Sequence, residues 1–355
     1  MQQSPYIPLE VNQIRRDTDN TKSFVLKQLH GNPIHYKPGQ FLTLIFKKKN
    51  SEERRSYSIS STPDLLELLT ITVKRIDNGE YSRYLFDTIE EGDILFTIGA
   101  SGYFTLPENL SRDTHLVFFA AGSGITPILP LIKTALHMNP PIRVTLLYSN
   151  RSESETIFMD ELKLLIQNFP IPLHVEFLFS ASQDLMKARL TKVLIVQYIK
   201  EKVIGKKETL FYICGPFQYM QMATIALLTE GIPLENIRKE NFSTEKPVVK
   251  ELPPDVQVHK VQVGIEGKTY KFDVQYPTTI LEAAKQKGIM LPYSCEAGKC
   301  GTCSATCVQG KVWHSYNEVL MDGELQKGRI LTCTGYPYGE EEVVIIFPDA
   351  VGRHS

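Results

Sequence analysis

From the start of the chain to about residue 105, apolar and polar positions alternate in short segments such as Phe41 to Phe46 and Leu69 to Val73, split by turn signals. That period predicts half-buried strands of an antiparallel barrel or sandwich, interrupted by one helix over Tyr81 to Ile89 after Asn78 and Gly79. From Thr114 the pattern changes to continuous apolar runs, each followed by a helical period. Leu116 to Ala121 precedes Ile128 to Leu136, and Arg143 to Tyr148 precedes Phe158 to Ile166; Val175 to Phe179, Leu190 to Ile199 and Leu210 to Ile213 continue the series. Such alternation predicts βα units on a parallel sheet.

Residues 243–257 are short, charged and punctuated by Pro247, Pro253 and Pro254, the composition of a semi-rigid linker. Beyond it, Val261 to Ile265 and Tyr270 to Val274 flank Glu266 and Gly267 as a hairpin, and Thr279 with Glu282 forms a capping box for a helix that Gly288 closes. The predicted layout is a β-barrel over 1–108, an α/β domain over 109–243, a linker over 244–257 and a small α+β domain over 258–355.

The chain has 355 residues, 42% hydrophobic and 22% charged, with Lys+Arg 39 against Asp+Glu 40 and a net charge of -1. This is an ordinary globular balance, without a global field for nucleic acid; the longest basic run, Lys47 to Lys49, reads as a hairpin tip. No apolar run reaches 18 residues, so no membrane insertion is expected, and Met1 to Glu10 lacks the basic and apolar regions of a secretory signal. The expected compartment is the cytoplasm. Six cysteines there point to metal binding or redox chemistry more than to disulfides.

Cys295, Cys300 and Cys303, with 29 residues before Cys333, have the C-x4-C-x2-C…C spacing of a plant-type [2Fe–2S] site. Gly298 and Gly301 suit a backbone curled round a cluster. A four-cysteine zinc site normally pairs two CxxC knuckles, and only one is present here. Cys307, on what reads as the next strand, is expected to be a small hydrophobe, yet it is the rival for the fourth ligand.

Two weaker features accompany the cysteines. Gly122, Gly124, Thr126 and Pro127 stand where a strand turns into a helix: the glycines would let backbone approach a phosphate, Thr126 would cap the helix and Pro127 would fill its first turn. The third glycine of the dinucleotide fingerprint is missing, and a turn without a ligand would read alike. On the segment from Arg54 to Ser61, Arg55 and Tyr57 share one face among the small hydroxyls of Ser56 and Ser58, an arrangement for a phosphate beside a flat ligand or for a plain polar edge strand.

The order of the three features along the chain resembles the ferredoxin–NADP reductase family, in the branch with a C-terminal plant-type ferredoxin domain. The resemblance implies a flavin barrel, a nucleotide domain and a β-grasp ferredoxin domain, with FAD, a [2Fe–2S] cluster and NADPH or NADH as cofactors. It implies that Arg55 holds the flavin pyrophosphate with Ser56 nearby, that Tyr57 lies against the isoalloxazine and that Ser58 faces its reactive edge. Val73 and Lys74, then Gly79 and Ser82, resemble the second flavin segment, and Tyr103 or Phe104 is expected to stack the adenine. Gly122, Gly124, Thr126 and Pro127 resemble the nicotinamide-nucleotide loop; Cys214, Gly215 and Pro216 resemble the nicotinamide-side motif, and Glu240 with Phe242 the closing segment, where Asn241 stands in place of the basic residue common in relatives. Ser58, Cys214 and Glu240 are the implied catalytic positions, with Cys214 orienting the nicotinamide.

The implied activity carries electrons from NAD(P)H through flavin and cluster to a partner protein, an oxygenase or hydroxylase component, or alternatively a desaturase or other acceptor. After the strand ending at Tyr148, Ser149 and Arg151 are placed to meet a 2′-phosphate, which favours NADPH. The rival classes are a zinc-stapled binding protein and a hydrolase, the latter disfavoured because no G-x-S-x-G elbow occurs.

Overall fold

The computed structural model describes residues 6–49, 51–138, 140–184, 188–203, 208–248 and 251–347. Strands β1 (Ile7–Thr18), β2 (Thr21–Gln28), β3 (Phe41–Lys47), β4 (Glu52–Ser58), β5 (Thr70–Lys74) and, after helix α1 (Glu80–Asp87), β6 (Ile94–Ser101) form one antiparallel sheet. Its order is β4-β3-β6-β1-β2-β5, and a bridge between Ile59 and Ile71 joins the two edges into a barrel. The alternation of the sequence survives as a core of Leu9, Val11, Phe24, Leu42, Leu44 and Ile71 facing α1.

The second domain alternates β7 (His115–Ala121), α2 (Ile125–His137), β8 (Arg143–Asn150), α3 (Met159–Asn168), β9 (Leu173–Phe179), α4 (Lys192–Lys202), β10 (Thr209–Cys214), α5 (Phe217–Thr229) and β11 (Ile237–Glu240). All pairs are parallel, in the order β11-β10-β7-β8-β9. From β7 the chain winds outward first to β8 and β9 and then, on the other side, to β10 and β11. The reversal lies between β7 and β10, where open α/β sheets bind ligands beyond the carboxyl ends of their strands.

One ion cluster seats the first domain on the second. Nζ of Lys133, on α2, is buried and donates to Glu67 Oε1 and Oε2 at 2.7 and 2.8 Å and to Glu161 Oε1 at 3.0 Å. Glu67 follows β4 in the barrel and Glu161 is on α3. Substituting Lys133→Met leaves two half-buried carboxylates side by side without their cation, a loss expected to cost about 2–4 kcal/mol. A urea unfolding midpoint equal to that of the native chain would count against this clamp.

The third domain consists of β12 (His259–Ile265), β13 (Lys268–Val274), α6 (Ile280–Gln286), β14 (Ser304–Gln309), β15 (Lys311–His314), α7 (Asp322–Gln326), β16 (Arg329–Leu331), β17 (Gly335–Tyr338) and β18 (Val343–Ile346). A mixed sheet of order β13-β12-β18-β14-β16 packs under α6, with β15 and β17 as a separate pair. The hairpin turns through Glu266 and Gly267, both at positive φ (51° and 71°), the mirror-type turn that matches strand twist. Thr279 and Glu282 complete the capping box. The linker residues Val248 and Leu252 are exposed and Pro253 is buried, while residues 249 and 250 lie outside the described ones.

Two imidazoles are held neutral by their surroundings, the buried His115 beside Thr145 and the partly buried His314, which accepts from the Leu331 N–H at 3.0 Å. Burial, aided at His115 by Arg143, pushes both down to about 4 from the ordinary 6.5. The folded chain therefore binds fewer protons than the unfolded one between those values, so stability is full above pH 6.5 and falls as the pH drops toward 4. The Tm should decline across that window, and less steeply in His314→Gln, whose amide oxygen still accepts but does not titrate. Parallel slopes for the two proteins would refute the role of His314.

Candidate functional site

The strand β4 ends the sheet order and meets β5 through the bridge beyond its last residue, and its residues point alternately to two sides. On the odd side the Arg55 guanidinium lies 4.9 Å from the ring centroid of Tyr81 on α1 and donates to Glu53 at 3.0 Å. Tyr57 follows, its hydroxyl held protonated by burial. Gly79 caps the N-terminus of α1 without a side-chain hydrogen bond, and a methyl group there would sit 2.3 Å from Ser82 Oγ and 2.4 Å from Ile76. Only glycine fits, and the first-turn N–H groups of α1 open beside Arg55, where dipole and donors together could hold an anion. Val73 is buried in the barrel core.

At the sheet reversal, the loop after β7 and the loop after β10 are in contact. A Cβ on Gly124 would fall 2.0 Å from the carbonyl oxygen of Cys214, and one on Gly215 would fall 2.9 Å from Ala121 Cβ. Gly122 has φ 53°, with Lys74 Nζ 3.7 Å from where its Cβ would be, so the ammonium of the flavin segment stands over the nucleotide loop.

Thr126 does not cap the helix. A tight turn over Gly122–Gly124 draws the start of α2 back to Ile125, leaving Gly124 as the cap, and the Thr126 hydroxyl donates to the Ser123 carbonyl at 2.9 Å. Pro127 remains in the first turn, where its missing N–H costs nothing. Pro216 caps α5.

Cys214 and Glu240 end adjacent parallel strands and are paired in register. Both are buried. Burial and then Glu240 push the Cys214 thiol well up, so it is no thiolate nucleophile. The Glu240 carboxyl is pushed up to about 8 by burial, then by Cys295 and Glu318, which brings the third domain to the carboxyl edge of the second. Ser58 is buried at the end of β4. Arg151 is exposed and stands 3.7 Å from Glu155.

The four spaced cysteines converge as two pairs, Cys295 with Cys300 and Cys303 with Cys333. The thiol of Cys300 and the backbone N–H groups of Ala297, Lys299 and Cys300 lower Cys295 to about 6; Cys300 and Cys303 are raised, each first by its sulfur neighbour and then by burial. Two thiols for each of two irons is the division a [2Fe–2S] cluster needs. Cys307 is turned away, donating to the carbonyls of Gln309 and Gly310 at 3.1 and 3.7 Å. Gly298 and Gly301, at φ 71° and 74°, would press a Cβ to 2.6 Å from the Tyr316 carbonyl and from the Tyr103 ring. The loop therefore packs as closely as glycine allows.

That packing corrects the adenine expectation. Phe104 is buried edge-on to Tyr212, and Tyr103 seals the cysteine loop, donating to Ser304 Oγ at 2.7 Å. Ser56 likewise turns its hydroxyl toward Ser294, at 2.7 Å. Sequence reasoning passed over Arg54 and the contact between Asn241 and Glu318. Asn241 Nδ2 donates to both Glu318 oxygens at 3.2 Å, and Tyr316 donates to the same carboxylate at 3.0 Å. The signal for Arg54 was the strand period itself, which sends it opposite to Arg55.

Residues 8–106 match the oxidoreductase FAD-binding domain family, residues 118–224 the oxidoreductase NAD-binding domain family and residues 263–338 the 2Fe-2S iron-sulfur cluster binding domain family. The chain is 32% identical over 340 residues to the ferredoxin reductase component of 3-ketosteroid-9-alpha-monooxygenase from Rhodococcus rhodochrous, covering 93% of each. It belongs to the ferredoxin reductase family with a fused [2Fe–2S] domain. One of the subunits of 1,2-phenylacetyl-CoA epoxidase from Escherichia coli is 32% identical to this reductase over 331 residues, with 91% of the chain and 92% of the relative covered. The crystal structure of phthalate dioxygenase reductase, at 24% identity and a TM-score of 0.57, covers 96% of the reductase and 98% of its own chain and shares its three-part fold. The reductase is an oxidoreductase with FAD-, NAD- and [2Fe–2S]-binding domains, and among its described residues no helix is long and apolar enough to cross a membrane.

Proposed function

We propose that the chain is the cytoplasmic reductase component of an oxygenase system, taking electrons from NAD(P)H and delivering them singly to the oxygenase. The reading rests on the meeting of three parts: Ser56 of the flavin strand bonds Ser294, next to Cys295, while Glu240 at the nucleotide edge senses the same cysteine. The working units are 1–108, 109–243 and 258–355, joined by 244–257. Arg55 and the N-terminus of α1 from Gly79 to Ser82 hold the flavin pyrophosphate, Tyr57 lies along the ring, and Lys74 spans toward the nucleotide loop of Gly122, Gly124, Thr126 and Pro127. Cys214, Gly215 and Pro216 seat the nicotinamide as a neutral packing wall, with Ser58 and Glu240 around the reacting edge. Cys295, Cys300, Cys303 and Cys333 hold the cluster.

The flavin supplies the conversion between two-electron and one-electron chemistry. One NAD(P)H and two oxidised acceptors become one NAD(P)+, two reduced acceptors and one proton. No side chain is needed as acid or base for the hydride, which explains why the site is built from packing and phosphate contacts.

The purified protein should be yellow-brown, and boiling should release FAD, because α1 offers a second phosphate a place that FMN does not fill. A colourless protein, or FMN as the main product, would overturn the assignment. NADPH is the proposed donor, with Ser149 and Arg151 at its 2′-phosphate; Arg151→Ala should lower kcat/KM for NADPH and not for NADH. An equal effect on both would remove Arg151 from the site.

A further inference from the structure

We propose that Arg54 is a positioning residue that docks the ferredoxin domain on the flavin strand, so that β4 serves the flavin with its odd residues and the cluster with its even ones. The inference rests on the electron path proposed above and adds the element that aligns it. Glu52, Arg54 and Ser56 alternate with Glu53, Arg55 and Tyr57, and side chains two apart along a strand share a side.

Arg54 is the buried member of the even set, its side chain 6% exposed. Nε and Nη2 grip Glu52 Oε1 at 3.0 and 2.7 Å, and Nη1 donates across the domain boundary to the Tyr293 carbonyl at 3.0 Å. The guanidinium carbon lies 3.6 Å from the Tyr293 ring centroid, with Lys285 Nζ at 3.4 Å from the same centroid and tied to Glu296 at 2.9 Å. A planar cation held by a carboxylate in its own plane, stacked on an aromatic ring and bonded to a carbonyl, has one orientation. Tyr6 also donates to Glu52, fixing the carboxylate from the β1 side.

The contacts fall on Tyr293 and Ser294, the two residues before Cys295, so the clamp acts on the loop that carries the first cluster ligand. Other boundary contacts among the described residues include Ser101 to Thr302 at 2.9 Å, Tyr103 to Ser304 at 2.7 Å, the Tyr293 hydroxyl to Glu52 Oε1 at 3.5 Å, Asn241 to Glu318, and Lys299 Nζ to the Glu245 carbonyl at 2.8 Å. Most of these are neutral or exposed, and the part-buried Glu318 carboxylate keeps Tyr316 of its own domain, whereas Arg54 is a buried charge whose Nη1 needs the third domain in place for its partner. Docked and undocked arrangements therefore differ most at Arg54. Only the docked one presents the cysteine loop to the strand that carries Arg55 and Tyr57.

The test uses the full-length holoprotein and stopped-flow mixing with excess NADPH, following flavin bleaching and cluster bleaching separately. Arg54→Ala should leave the flavin phase unchanged and slow the cluster phase about tenfold. Tyr293→Ala, which keeps the backbone carbonyl and removes the ring, should do the same from the other side of the contact, which covers an Arg54 variant that fails to fold, and Tyr293→Phe should restore the native rate because the stacked ring remains and only the long 3.5 Å hydroxyl contact to Glu52 is lost. Small-angle scattering of Arg54→Ala should show a larger radius of gyration at unchanged flavin and iron content. An unchanged cluster phase in both alanine variants, or an equal slowing of both phases, would overturn the proposal. A native protein whose cluster is not reduced after its flavin would instead overturn the electron path beneath it.

Discussion

Replacing Cys333 with serine should abolish the visible absorbance and the reduced-state electron paramagnetic resonance signal of the cluster, while Cys307→Ser should leave both in place. The two thiols are separated by geometry, not by local sequence. Cys333 is buried against Cys303, whose thiol it raises, and completes the second of two sulfur pairs. Cys307 is half-buried on β14, its hydrogen spent on the carbonyls of the turn at Gln309 and Gly310. A serine hydroxyl serves those carbonyls as well as a thiol does. Loss of a true ligand reaches beyond colour, because binding free energy at a site preformed only in the folded chain is also folding free energy. Cys333→Ser should therefore lower the Tm of the third domain, and Cys307→Ser should not. A colourless Cys307→Ser protein with a coloured Cys333→Ser protein would reverse the assignment.

The boundaries of chemistry within this chain were legible wherever they were local. The run from Cys295 to Cys303, the capping box of Thr279 and Glu282, and the glycine turn after β7 each lie within a few residues, and their geometry follows from the backbone there. The change from period-two alternation to continuous apolar runs marked the move from a barrel with a solvated side to a sheet covered on both faces. Thr126 misled because a threonine two places into a helix and one at its cap look alike until the preceding turn is seen to tighten. Tyr103 and Phe104 misled for another reason. Their neighbours, Ser304 and Tyr212, are more than a hundred residues away, and an aromatic near a flavin motif reads the same whether it meets a ligand or a second domain. Arg54 was hidden by its neighbour: the phosphate role went to Arg55 alone, and the strand period that sends Arg54 to the opposite side does not say what it meets there.

Ending the chain near Pro253 should keep flavin binding and the reduction of ferricyanide by NAD(P)H, and remove most of the reduction of cytochrome c or an oxygenase. The first two domains have cores of their own, and the core of the third is built from residues 261–347, with Tyr103 joining it from outside among the described residues. The linker adds little, since Val248 and Leu252 face solvent. What the cut exposes is the docking side of β4, where Arg54 keeps Glu52 and loses Tyr293, and the ring of Tyr103. That exposure should lower stability somewhat without opening either remaining core, and Arg55, Tyr57 and α1 on the odd side are untouched. Ferricyanide draws electrons from the flavin directly and needs no exit, whereas a protein acceptor waits on single electrons from the cluster. If the shortened protein reduced cytochrome c or an oxygenase as fast as the full chain, the cluster would not be the exit, and the docking of the third domain on β4 would serve some end other than electron transfer.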